Sequence, residues 1–223
     1  MEHQPTSNCE HEIDLLRIKL NEMFSLSMEA FRASVTSLEN MDLALARKTV
    51  NGDDEIDSLK RVIEEMAYEI LEKFHLLSSD LRRIIMAIKI SGELERIADQ
   101  AVNIAQVSEF MNGRNLIKPL IDIPKMAQIA EKMIRDSMMA YFKEDVELAK
   151  KVWLMDDTVD ALDKKLVEDI KSVILERDTE EVISQAERLI LVSRAIERVA
   201  DHATNICEET VYMILGKEMH KIL

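Results

Sequence analysis

Two stretches of this chain spell nearly the same sentence: LERIADQAVNI at 94–104 and IERVADHATNI at 196–206, an offset of 102 residues. A second pair, DLALARKTVNGDDEIDSL at 42–59 and DVELAKKVWLMDDTVDAL at 145–162, aligns at an offset of 103. Two separate matches, in the same order and at nearly the same offset, mark an internal duplication covering most of the chain. Whatever one half folds into, the other half must fold into as well.

Breakers are scarce. The 223 residues hold only 4 glycines and 3 prolines, and aromatics are 4%. Such a chain reads as almost entirely helical. Hydrophobic residues at 47% are enough to build a core. Residues 10–50 run without Gly or Pro and read as a first helix. NGDD at 51–54 is a turn whose Asp is placed to cap a second helix, over 54–77. SSD at 78–80 is a further cap signal, and a third helix follows to 111. NGRNLIKPLIDIP at 112–124 is the one convincing linker, and Pro124 opens a fourth helix. MDDTVD at 155–160 separates a fifth. RDTEE at 177–181 resembles a capping box and starts a sixth, which ends near Gly216. The expected fold is all-α: two tandem, similar three-helix bundles, residues 1–115 and 116–223.

The net charge of -14 argues against a nucleic-acid partner and fits a cytosolic protein that binds cations or basic surfaces. Cys9 and Cys207 form no framework spacing, which points to a reducing compartment. No basic head precedes an apolar run as in a signal peptide. No apolar run approaches the ~20 residues of a membrane span.

The repeated words carry a pattern. Residues four apart share a helix face. Glu95, Asp99 and Asn103 therefore form one line of oxygen-bearing side chains, and Glu197, Asp201 and Asn205 form its copy. Beside them run the stripes Leu94, Ala98, Ala101, Ala105 and Ile196, Ala200, Ala203, Cys207, whose small residues suit a closely approaching helix. Like charges four apart repel, more so beside a packed seam. An Arg or Lys from a facing helix would offset this, and so would a bound cation. About eight acidic pairs at this spacing are expected by chance in so acidic a chain. Four of them fall at duplicated positions: Asp53 with Asp57, Asp156 with Asp160, Glu95 with Asp99, and Glu197 with Asp201. Duplication preserves core packing as readily as chemistry, so spacing alone leaves metal binding and packing both open.

Other features read more plainly. His202 has Gln100 as its counterpart and reads as a surface or satisfied histidine. Glu72 and His75 form a single E-x-x-H, whereas a di-iron bundle needs two, and the counterparts Leu175 and Asp178 cannot supply the second. The 14 methionines read as gap filler. Arg82 and Arg83 read as solvated or paired with acids, and Cys207 as a buried thiol. No phosphate-cradling glycine loop, nucleophile elbow or Ser-His-Asp pattern is present.

LERIADQAVNI and IERVADHATNICEETVYMILGKEMH resemble the signature of the PhoU family of phosphate-uptake regulators. MDDTVDALDKKL and DDEIDSLKRVIEE resemble its other repeated element, an acidic turn followed by I/V-D-x-L, and DLRRIIMAIKISGELERIAD its lead-in on the third helix. The resemblance implies multinuclear iron or zinc on Asp53, Asp57, Glu95, Asp99, Asp156, Asp160, Glu197 and Asp201. It implies a non-enzymatic adaptor between the ATPase subunit of a phosphate transporter and a sensor histidine kinase, holding phosphate-starvation signalling off when phosphate is ample. It also implies a cytoplasmic homodimer. The family often has Gly-Asp-His where Ala98, Asp99 and Gln100 stand, so the first site lacks a histidine. A di-metal carboxylate enzyme and a purely structural helical scaffold are the alternatives.

Overall fold

The computed structural model describes residues 7–223. The first six residues, which belong to the expected first repeat, lie outside the described residues. Eight α-helices follow in order: α1 Ser7–Asn40, α2 Leu43–Asn51, α3 Asp53–Lys73, α4 Ser78–Met111, α5 Asp122–Lys143, α6 Val146–Trp153, α7 Asp156–Glu176 and α8 Glu180–Leu215, with a short 3-10 turn at Met219–Lys221. The described residues contain no strand.

Each expected first helix is two helices, which corrects the six-helix reading. The chain breaks at Met41 and again at Glu144, its equivalent at the 103 offset. Both adopt left-handed backbone, with φ of 54° and 53°. A non-glycine residue there costs roughly 1–2 kcal/mol. Two local bonds offset it. The amide of Asp42 donates back to the Ser37 carbonyl at 2.8 Å, and that of Asp145 to the Ala140 carbonyl at 2.9 Å, each closing the helix end before it. The carboxylates of Asp42 and Asp145 then accept from the amides of Leu45 and Leu148, capping α2 and α6. The break is built from caps, so a search for Gly and Pro passes over it.

Elsewhere the caps are mixed. Thr179 caps α8 by accepting from the Val182 amide, but Val182 stands where a capping box needs Glu or Gln, so the box is half made. Gly216 ends α8 with left-handed backbone. The caps expected in NGDD and SSD are absent: Gly52 and Leu77 precede α3 and α4, and neither start has a side-chain cap. Asp53 and Asp80 instead lie inside the first turns.

Within the first repeat α4 packs against α1, α2 and α3, and within the second α8 packs against α5, α6 and α7. The repeats join mainly through α4 on α8, with α1 on α5 beside it. The cross-bonds show that α4 and α8 run antiparallel: Arg82 donates to the Met213 carbonyl at 3.0 Å, Lys89 to Glu209 at 2.8 Å, and Asn205 to Glu93 at 3.0 Å. Both small-residue stripes are fully buried, as the repeated words require. Arg17 also ties α1 to the Phe142 carbonyl, and Arg83 ties α4 to Glu144. The linker is fastened down by Gln185, which accepts from the Ile117 amide and donates to the Asn115 carbonyl.

Leu94 is 0% exposed and Leu191 53% exposed on the two long helices. Leu94→Ala is expected to cost about 2–5 kcal/mol. Leu191→Ala should stay within about 0.5 kcal/mol. Chemical denaturation of the two variants checks the contrast.

Candidate functional site

Asp53 and Asp57 occupy the first turns of α3, and Asp156 and Asp160 those of α7. A helix N-terminus favours negative charge, which accounts for acids there. Glu95 and Asp99 lie midway along α4, and Glu197 and Asp201 midway along α8. The structure brings each set of four into one acidic face, α3 meeting α4 and α7 meeting α8. In both faces the first three acids are half-buried and the last, Asp99 or Asp201, is exposed. The faces border the core and stay open to solvent.

The carboxylates feel one another. Burial, then the charges of Asp57, Asp99, Asp54 and Glu95, push Asp53 up to about 6. Burial, then Asp201, Asp160, Glu197 and Asp157, push Asp156 up to about 6. Burial and neighbouring acids also raise Asp99, Glu197 and Asp201. One oxygen of Asp53 and one of Asp156 are buried with no hydrogen-bond partner, at equivalent places in the two repeats. An unsatisfied buried carboxylate oxygen is costly and wants a positive partner.

These oxygens suit a hard or borderline cation by donor type. Among the described residues no group of three or more His, Cys, Asp or Glu side chains is already arranged to hold a metal ion. The oxygens of Asp53 and Asp156 that no protein donor meets are the ones such an ion would satisfy.

The faces differ in one contact. Lys60 on α3 donates to Glu95 at 3.0 Å, the offsetting lysine that the repelling acids call for. Asp163 stands at the equivalent position of the second repeat, buried and bonded to Ser193 at 2.7 Å and Arg194 at 3.0 Å. The duplicated alignment carries this charge reversal in plain view, but a search for shared acids does not register it.

His202 and Asn205 turn away from the acidic face. His202 pairs with Glu93 of α4 at 2.8 Å, and Asn205 donates to the same oxygen at 3.0 Å. His202 is thus a satisfied histidine of the seam. Burial raises Glu93, but the bonds from His202 and Asn205 and the charges of His202 and Arg96 outweigh it and hold its carboxyl low. Asn103 bonds Gln100 on its own helix, so the oxygen line on each long helix stops at its Asp. Glu72 is exposed near the end of α3 and His75 is exposed beyond it, apart from both faces. Cys207 is buried, and burial holds its thiol far up. Arg83 is paired with Asp80 and Glu144.

A duplicated helical bundle with an acidic face on each copy defines the class. The family model described as PhoU domain matches residues 20–108 and again 123–210. The chain is 38% identical over 217 residues to the phosphate-specific transport system accessory protein PhoU homolog 1 of Thermotoga maritima, covering 96% of this chain and 92% of that one. It is 34% identical to the PhoU homolog of Zymomonas mobilis, covering 92% and 85%. The crystal structure of PhoU from Pseudomonas aeruginosa superposes with a TM-score of 0.89 at 28% identity, covering 93% of this chain and 99% of that one. That of a phosphate transport system regulatory protein PhoU from Streptococcus pneumoniae, at 22% identity, shares the fold with a TM-score of 0.87, covering 95% and 99%. This chain belongs to the PhoU family.

Raised carboxylates have a consequence for pH. An unfolded Asp releases its proton near 3.8, whereas folded Asp156 holds it to about 6. Between those values the folded state binds more protons, so this group's contribution to stability falls as pH rises through the window. In chelator-treated protein, Asp156→Asn is expected to raise the thermal midpoint at neutral pH. The gain should shrink as pH falls below about 6, because wild-type Asp156 then becomes neutral too. A constant difference across that range would contradict the assignment.

Proposed function

We propose that this chain is a non-enzymatic regulator of phosphate uptake, an accessory protein to a phosphate transporter. The observation that carries the reading is full-length membership: both repeats match the PhoU domain, and a relative 38% identical over 96% of the chain is named as a phosphate-specific transport accessory protein. Among the described residues no helix is long and apolar enough to cross a membrane. Contact with a transporter would then be peripheral, through a partner such as its ATPase subunit. A sensor histidine kinase is the second partner in this reading, with the chain as homodimeric bridge between transport and signalling.

In the same reading the two acidic faces hold iron or zinc. Asp53, Asp57, Glu95 and Asp99 would hold it in the first repeat, and Asp156, Asp160, Glu197 and Asp201 in the second. Bound metal would supply the positive charge that the orphaned oxygens of Asp53 and Asp156 lack. The chain's own residues present these carboxylates at the rim of the core, where a partner surface can reach them.

The scaffold alternative requires the acids to be structural ion pairs. Of the eight acids only Glu95 and Asp160 have a lysine partner among the described residues, and the Asp160 pair is exposed and weak. The di-metal enzyme alternative draws no support from Glu72 and His75, which lie exposed away from both faces.

Tagged protein recovered from its native cells, grown with ample phosphate, is expected to bring down a transporter ATPase subunit or a sensor histidine kinase. Recovering neither, from cells shown to express both, would count against the role. Separately, Glu197→Ala with Asp201→Ala is expected to remove the second repeat's metal without loss of helicity. Elemental analysis showing equal metal in wild type and variant would refute the site.

A further inference from the structure

We propose that Lys60 is a tethered counter-cation of the first acidic face, which leaves the second face as the stronger site for a divalent ion. This rests on the cation reading of the two faces. Lys60 lies on α3 close after Asp57 and reaches across to Glu95 on α4 at 3.0 Å, with both side chains about a quarter exposed. Its charge also eases Asp99. The first face thus already contains one positive charge.

The second face lacks that charge. The duplication puts Asp163 where Lys60 stands, and Asp163, 2% exposed, engages Arg194 and Ser193. Glu197, the counterpart of Glu95, has no ion pair or side-chain hydrogen bond among the described residues, and neither has the carboxylate of Asp201. Other cations are near but do not replace Lys60. Lys164 pairs with Asp160 at 3.4 Å from a position 74% exposed, where water and salt screen it. Arg194 eases Glu197, and His202 and Arg198 ease Asp201, without pairing with either carboxylate. An ion entering the first face must break the Lys60–Glu95 pair and then meets like charge. An ion entering the second face displaces only the exposed Lys164–Asp160 pair and meets cations that pair with neither Glu197 nor Asp201.

Manganese(II) serves as the probe, added to chelator-stripped full-length protein with the free ion read by electron paramagnetic resonance. Glu197→Gln with Asp201→Asn leaves only the first face, and Glu95→Gln with Asp99→Asn leaves only the second. The second face should bind roughly tenfold more tightly. Adding Lys60→Gln to the first background should close most of that gap, and adding it to the second should change nothing. Equal affinity in the two backgrounds, or no gain from Lys60→Gln, would overturn the inference and leave the cation reading intact. No binding by the wild type would overturn both. Far-UV circular dichroism monitors helicity, and Lys60→Met, which keeps the aliphatic stem, repeats the measurement without the charge.

Discussion

On α4 and α8 the alanines Ala98, Ala101, Ala105, Ala200 and Ala203 are fully buried, and helical spacing turns them away from the seam residues Glu93, His202 and Asn205, toward the helices of their own repeats. The same two helices receive the other helices of their own repeats. They are also the helices that bear Glu95, Asp99, Glu197 and Asp201. Each acidic face is therefore set by how its long helix packs within its own repeat, α4 on α3 and α8 on α7. A larger side chain on that stripe would move carboxylates as well as core, since interiors packed to crystal density relax only in part.

The molecule tolerates strong self-repulsion along these faces because it keeps them at the rim. Solvent reaches Asp99 and Asp201, which limits the cost of their charge. Asp53 and Asp156 bear the heavier desolvation, each with an oxygen that no protein donor meets. Burial and repulsion there overcome the help that a helix N-terminus gives an acid. Deeper in the seam the chain follows the opposite policy. Glu93 is surrounded by His202, Asn205 and Arg96, and its charge is fully matched. The two treatments of acid on one helix pair distinguish a residue that fastens the fold from residues kept available.

Much of this was legible in the residues. The duplication and the small-residue stripes follow from fixed spacings, the helical class from the scarcity of Gly and Pro, and the linker from the one place where they gather. The acidic pairs were visible because repetition separates a shared pair from a chance one, whereas the meeting of two pairs in one face is a product of packing. The breaks at Met41 and Glu144 were not, because backbone bonds and an Asp cap make them where a Gly or Pro is usual. Lys60 and Glu93 escaped for another reason. Their partners Glu95 and His202 lie 35 and 109 residues away, and only packing decides which side chains meet.

The antiparallel pairing of α4 with α8 has a history written into it. Equivalent helices facing each other in opposite directions are related by a local two-fold near Ala98 and Ala200. This is the arrangement by which a half-length ancestor would have paired with a second copy of itself. In such a pair every contact occurs twice, so a charge placed at one end of the interface is placed at the other. Joining the copies in one polypeptide lifts that restriction. The end at Glu93, His202 and Asn205 became charged, while its mirror positions Ala195, Gln100 and Asn103 stayed neutral. The same freedom allowed a lysine at 60 and an aspartate at 163. Fusion gave the protein a left and a right that a symmetric pair cannot have.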